Sequence, residues 1–105
     1  MNFNAMENLA QKTIESFLSM LPKYLIKIKK AIDKKNNENL EKSAHTLRGA
    51  LSYFYADKSI DYCKKLEDMG RKKKITDALA IYKNLNTELI KLKSELKILK
   101  KELFK

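Results

Sequence analysis

Apolar residues recur at three- and four-residue steps along nearly the whole chain, the spacing of helices that bury one face. Met6, Leu9, Ala10, Ile14, Phe17, Leu18 and Leu21 form one stripe, and Tyr24, Leu25, Ile28, Ala31 and Ile32 carry it on to Asp33. Pro22 stands between the two stretches. It can open a new helix at its first turn or sit inside a continuous one, and the pattern leaves both open. Asn36-Asn37 breaks the periodicity, and either residue can cap a second helix. That helix carries Leu40, Ser43, Ala44, Leu47, Leu51 and Phe54 on one stripe and should end near Tyr55 or Ala56. A third, opening at Asp57 or Lys58, carries Ile60, Cys63, Leu66 and Met69, with Gly70 read as its left-handed C-terminal cap. Thr76 is the expected cap of a last helix running toward Phe104. There Ala78, Tyr82, Leu85, Leu89, Leu92, Leu96, Leu99 and Leu103 alternate steps of four and three.

These elements predict an all-α fold: an antiparallel four-helix bundle with a long C-terminal helix and, if Pro22 divides the first stretch, an extra N-terminal helix. Residues 1–105 read as a single domain. The leucine seam of the last helix is expected to pack on the N-terminal helix of its own chain. Its end, Leu96 to Leu103, is the place where a homodimer would pair.

Composition agrees and excludes several classes. Two glycines and one proline in 105 residues are too few for the turns of a sheet protein. Gly49 and Gly70 cannot make a Gly-rich phosphate loop, and the chain is too short for an ATP-binding kinase domain. One His and one Cys make neither a zinc finger nor a disulfide framework. A lone Cys63, no apolar run of about 18 residues and no signal-peptide pattern point to a cytoplasmic protein or module, with no membrane segment.

The net charge is +10, from 23 basic and 13 acidic residues, which raises the question of nucleic acid. Only Arg48 and Arg71 are arginines, leaving 21 lysines, and base readout favours arginine. Nucleic acid is therefore the weaker partner class. The alternative function it defines is a non-catalytic helical interaction or nucleic-acid-binding module in which His45 is incidental.

His45 has a distinctive setting. At about 100° per residue it lies roughly 140° from the centre of the Leu40–Leu47–Leu51 stripe, and so faces solvent. Arg48 follows at i+3, Gly49 at i+4, and Ser52 lies one turn on along the same face. A mid-helix glycine costs about 1 kcal/mol relative to alanine. Here it leaves bare backbone beside the imidazole, where another molecule could approach. An exposed imidazole with a cation and a gap beside it suits a phosphoryl group. In isolation, His-x-x-Arg-Gly fits an incidental surface histidine as well.

The longer pattern is more specific. Ala44-His45-Thr46-Leu47-Arg48-Gly49, followed by Cys63, Leu66-Glu67 and Gly70-Arg71, resembles the signature of histidine-containing phosphotransfer (HPt) domains. The resemblance spans about residues 17–92, including Leu21-Pro22. It implies a four-helix bundle with His45 as the phospho-accepting nucleophile, Arg48 in the place of the usual lysine as phosphoryl charge, and Glu67 orienting the imidazole. Gly49 and Ser52 would form the docking face. The implied partners are response-regulator receiver domains and, further, a hybrid histidine kinase. The phosphoryl donor would be a receiver aspartate, and Mg²⁺ would sit on the receiver; the module itself needs no metal or cofactor. Its basic charge would help steer it to an acidic receiver. One departure is Tyr55, which stands where the family usually has a glycine ending the His helix. This leaves the second turn and the docking surface open.

Overall fold

The first apolar stretch and its continuation form one helix, α1 (Phe3–Asp33), which passes through Pro22 without a break. There is thus no extra N-terminal helix. Pro22 forfeits only the bond its missing N–H would make to the Leu18 carbonyl. Leu21 and Ile28, 4% and 0% exposed, anchor the helix on either side of it. The computed structural model describes residues 3–103, and side-chain surroundings over 9–102.

Three further helices follow: α2 (Asn37–Leu51), α3 (Asp57–Arg71) and α4 (Ala78–Leu103). The Asn36 side chain caps α2 by accepting from the Asn39 N–H at 3.0 Å. A single 3₁₀ turn, Ser52–Phe54, tightens the end of α2. Successive helices run antiparallel. Each of Leu40, Leu47 and Leu51 on α2 is fully buried, contributing roughly 1.5–3 kcal/mol apiece. They meet Phe17, Leu21 and Ile28 of α1, Cys63 and Leu66 of α3, and Leu85 and Leu89 of α4 in one core. The last helix starts at Ala78, two residues after Thr76, because Thr76 and Asp77 lie in the turn before it.

All three junctions close through non-glycine residues in left-handed backbone: Lys35 (φ 53°), Tyr55 (φ 52°) and Lys73 (φ 58°). After α3, Lys73 N–H donates to the Gly70 carbonyl at 3.2 Å and Lys74 N–H to the Met69 carbonyl at 3.0 Å. This is a Schellman closure with lysine in the position that favours glycine. Gly70 is therefore not the cap. It lies buried within α3, where an added Cβ would meet the Asn37 carbonyl oxygen at 2.6 Å and the Glu41 nitrogen at 2.7 Å. Its missing side chain lets α3 approach the first turn of α2. Tyr55, 88% exposed, takes the left-handed turn that its glycine-like position demands.

Helices α1 and α4, of 31 and 26 residues, overhang α2 and α3, of 15 each. Phe17 stacks on Phe54 at 4.7 Å between centroids, level with the end of α2. Beyond it α1 has α4 as its neighbour, and Glu15 meets Lys100 at 2.8 Å. The leucine seam is accordingly buried through Leu96 but 41% exposed at Leu99, and Leu9 and Ala10 are exposed rather than core. The side chains of Met6, Leu103 and Phe104, counted on these stripes by sequence, lie outside the described residues.

Candidate functional site

Helix α2 turns Leu40, Ala44, Leu47 and Leu51 inward and so fixes what faces out. His45 is mid-helix with its side chain 65% exposed. On the neighbouring α3, Cys63 and Leu66 point into the core. Glu67, the residue after Leu66, is thereby set at the edge of the buried stripe, facing α2, with 13% of its side chain exposed.

The two helices bring His45, Arg48 and Glu67 together. Glu67 Oε1 lies 2.9 Å from His45 Nδ1. Arg48 Nε donates to Glu67 Oε2 at 2.9 Å, and its Nη2 to Oε1 at 3.3 Å. Nη2 is also 3.0 Å from His45 Nδ1. A carboxylate can only accept, so the contact at Oε1 requires the proton on Nδ1. The lone pair of the neutral ring then sits on Nε2, which has no hydrogen bond to the described residues. Burial pushes the Glu67 carboxyl up, but the bonds from His45 and Arg48, with the Arg48 charge, outweigh it and hold the group below the ordinary carboxylate value.

The flanks differ in kind. An added Cβ at Gly49 would meet nothing within 4 Å, so the surface beside the imidazole is open. Ser52 is exposed, but its hydroxyl donates to the Gly49 carbonyl at 2.6 Å, closing the end of α2. Cys63 is fully buried, and burial pushes its thiol up to about 12, against the pull of the Arg48 charge. It is packing, not a nucleophile. Among the described residues no group of three His, Cys, Asp or Glu is placed to hold a metal ion.

Two features escaped the sequence reading. The Arg48–Glu67 ion pair joins residues 19 apart on different helices, and only their opposite charges hinted at it. The second is a groove of about 450 Å³ between α1 and the end of α2, lined by Phe17, Met20, Tyr24, Ala50, Tyr53 and Phe54. Its signal was Tyr53, one turn beyond Gly49 and 74% exposed.

The Hpt domain family model matches residues 12–97. No curated protein matches the chain. Among solved structures, the chain is similar to histidine-containing phosphotransfer protein B (HptB) from Pseudomonas aeruginosa PAO1, with a TM-score of 0.88 at 21% identity. That likeness covers 94% of this chain and 86% of the other, and at such identity it is a likeness of fold. No described helix is long and apolar enough to cross a membrane.

Proposed function

The chain belongs to the Hpt domain family, and from that premise we propose that His45 takes a phosphoryl group from a receiver-domain aspartate and passes it to the aspartate of a second receiver. A histidine phosphotransfer role follows from the family; the donor, the acceptor and the residue roles are our reading. The observation that carries it is the exposed imidazole whose Nδ1 lies 2.9 Å from the Glu67 carboxylate while Nε2 stands free beside the gap at Gly49.

The chemistry is an in-line displacement. The Nε2 lone pair attacks phosphorus as the bond from phosphorus to the aspartyl oxygen breaks, and the carboxylate leaves with the bonding pair. Nδ1 keeps its proton, so the phosphorylated ring is cationic and faces the Glu67 carboxylate. Arg48 adds positive charge near the incoming phosphoryl group. Mg²⁺ and the acidic pocket belong to the receiver; this chain needs no metal or nucleotide of its own. Gly49 and Ser52 lie on the face that the receiver would cover, and the surplus of lysine favours encounter with an acidic surface. We place the protein in the cytoplasm, with receivers and a hybrid histidine kinase as partners. A homodimer through α4 is the accessory proposal. It rests on Ile98 and Leu99, 57% and 41% exposed past the overhang, and Leu99→Glu should abolish any concentration-dependent mass seen in sedimentation.

The test is incubation with a phosphorylated receiver, scored for acid-labile, base-stable label on this chain. The parent should take label and His45→Gln none, with unchanged circular dichroism. Undiminished label on His45→Gln would sink the reading.

A further inference from the structure

The contacts around Nδ1 hold a conflict whose resolution assigns Arg48 a second task. Two groups approach that nitrogen: the Glu67 Oε1 acceptor at 2.9 Å and the Arg48 Nη2 donor at 3.0 Å. One nitrogen cannot serve both. If Nδ1 carries the proton, it donates to Oε1 while Nη2 donates to Oε1 and Nε to Oε2, and all three donors find a carboxylate oxygen. If Nδ1 is bare, Nη2 turns to it, Oε1 loses both donors, and two lone pairs face one another at 2.9 Å. The first arrangement makes three charge-assisted bonds and the second two, with a repulsion added. A free imidazole prefers its proton on Nε2, so the ring needs this bias to present Nε2 as a nucleophile.

We infer that Arg48 is a positioning residue that acts through Glu67: its two-point hold on the carboxylate fixes Oε1 as the acceptor for Nδ1–H and keeps His45 in its nucleophilic tautomer. Glu67 alone would be a poor fixture. Its side chain turns about three bonds, and a carboxylate held at one oxygen can swing away from the ring. The Arg48 fork occupies both oxygens and removes that freedom. The hold uses Nε and Nη2 and leaves Nη1 without a partner among the described residues. The same guanidinium can therefore clamp Glu67 along one edge and meet a phosphoryl oxygen with the other. A lysine ammonium is a point charge and cannot divide itself in this way.

This inference rests on the phosphotransfer reading for its purpose, but its first readout does not. Long-range proton–nitrogen correlation spectra of the unphosphorylated, ¹⁵N-labelled full chain, recorded with the ring neutral, report which nitrogen carries the proton. The parent should show the proton on Nδ1. Arg48→Lys, and Arg48→Met as a variant with no donor, should move the population toward Nε2–H while melting as the parent does to within a few degrees. Label uptake at saturating phospho-receiver should fall roughly tenfold in Arg48→Lys, the scale of one lost charge-assisted hydrogen bond. Glu67→Gln should slow uptake similarly, and adding Arg48→Lys to it should cost little more, since both act through one contact. A parent ring protonated on Nε2, an unmoved tautomer in both Arg48 variants, or fully multiplicative rate losses would overturn the inference. Label retained on His45→Gln would instead overturn the phosphotransfer reading and leave the tautomer assignment standing.

Discussion

A methyl group grown on Gly49 would meet no atom within 4 Å, whereas one grown on Gly70 would meet the Asn37 carbonyl oxygen at 2.6 Å and the Glu41 nitrogen at 2.7 Å. Both glycines lie inside helices, neither has positive φ, and they are the only two in the chain. The residue type is the same and the reasons are opposite. At Gly70 the molecule itself occupies the missing side chain's volume, so the reason is complete within the fold. At Gly49 nothing occupies it, and the fold gives no return for a poor helix former. An open glycine beside an exposed imidazole has its reason in a second molecule. The α2–α3 seam and the outer face of α2 thus divide into a region explained by packing and a region explained by what it leaves bare.

The comparison can be broken at several points. The largest effect is expected at the bare face: His45→Gln should abolish phosphoryl uptake and shift the melting temperature by no more than a few degrees, because a 65%-exposed ring supports little packing. Labelling assays beside thermal melts check this. At the seam, Gly70→Ala should lose roughly 1–3 kcal/mol by forcing two backbones apart. It should leave uptake per folded molecule nearly intact, as chemical denaturation and labelling on one sample would tell. At Gly49 the sign should reverse. Gly49→Ala should gain up to about 1 kcal/mol from helix propensity alone. Gly49→Leu should fold but take label more slowly, and transfer at the parent rate would show that the gap has no bearing on docking. The smallest effect concerns acid. Glu67 has its carboxyl held below the ordinary value of 4.5, so its contribution to stability is full above that value. It should fade as pH falls through the lowered one. Melts of the parent and Glu67→Gln between neutral and acid pH should converge on the acid side.

Local reasons were legible in the sequence and remote ones were not. The stripes of α2 and α3 depend on spacing within one helix, so the outward face of His45 and the edge position of Glu67 could be read from a wheel. Gly70 could not be read, because its reason is the first turn of α2, reached only after the chain has folded back. A glycine near a helix end resembles a cap, and the true cap, Lys73, pays a left-handed penalty that no propensity scale would assign to it. Pro22 was undecided because continuity there depends on the neighbours that hold Leu21 and Ile28 in one core. Leu9 and Leu99 sit on correct stripes, but α2 and α3 end before reaching them. At the site, the three residue types and their roles came from the motif, whereas the fork from Arg48 to both oxygens of Glu67 depends on the distance between two helices.

The burial of Cys63 makes the molecule its own clock. The thiol lies one turn before Glu67, fully buried and weakly acidic, so a thiol reagent can reach it only when α3 parts from its neighbours. When reclosing is fast, the labelling rate equals the opening equilibrium constant multiplied by the rate for an unhindered thiol. One sulfur atom therefore reports the free energy of opening at the helix that carries Glu67, with no substitution and no added probe. Comparing that rate with and without phosphate on His45 would measure how far the modified ring tightens or loosens α3.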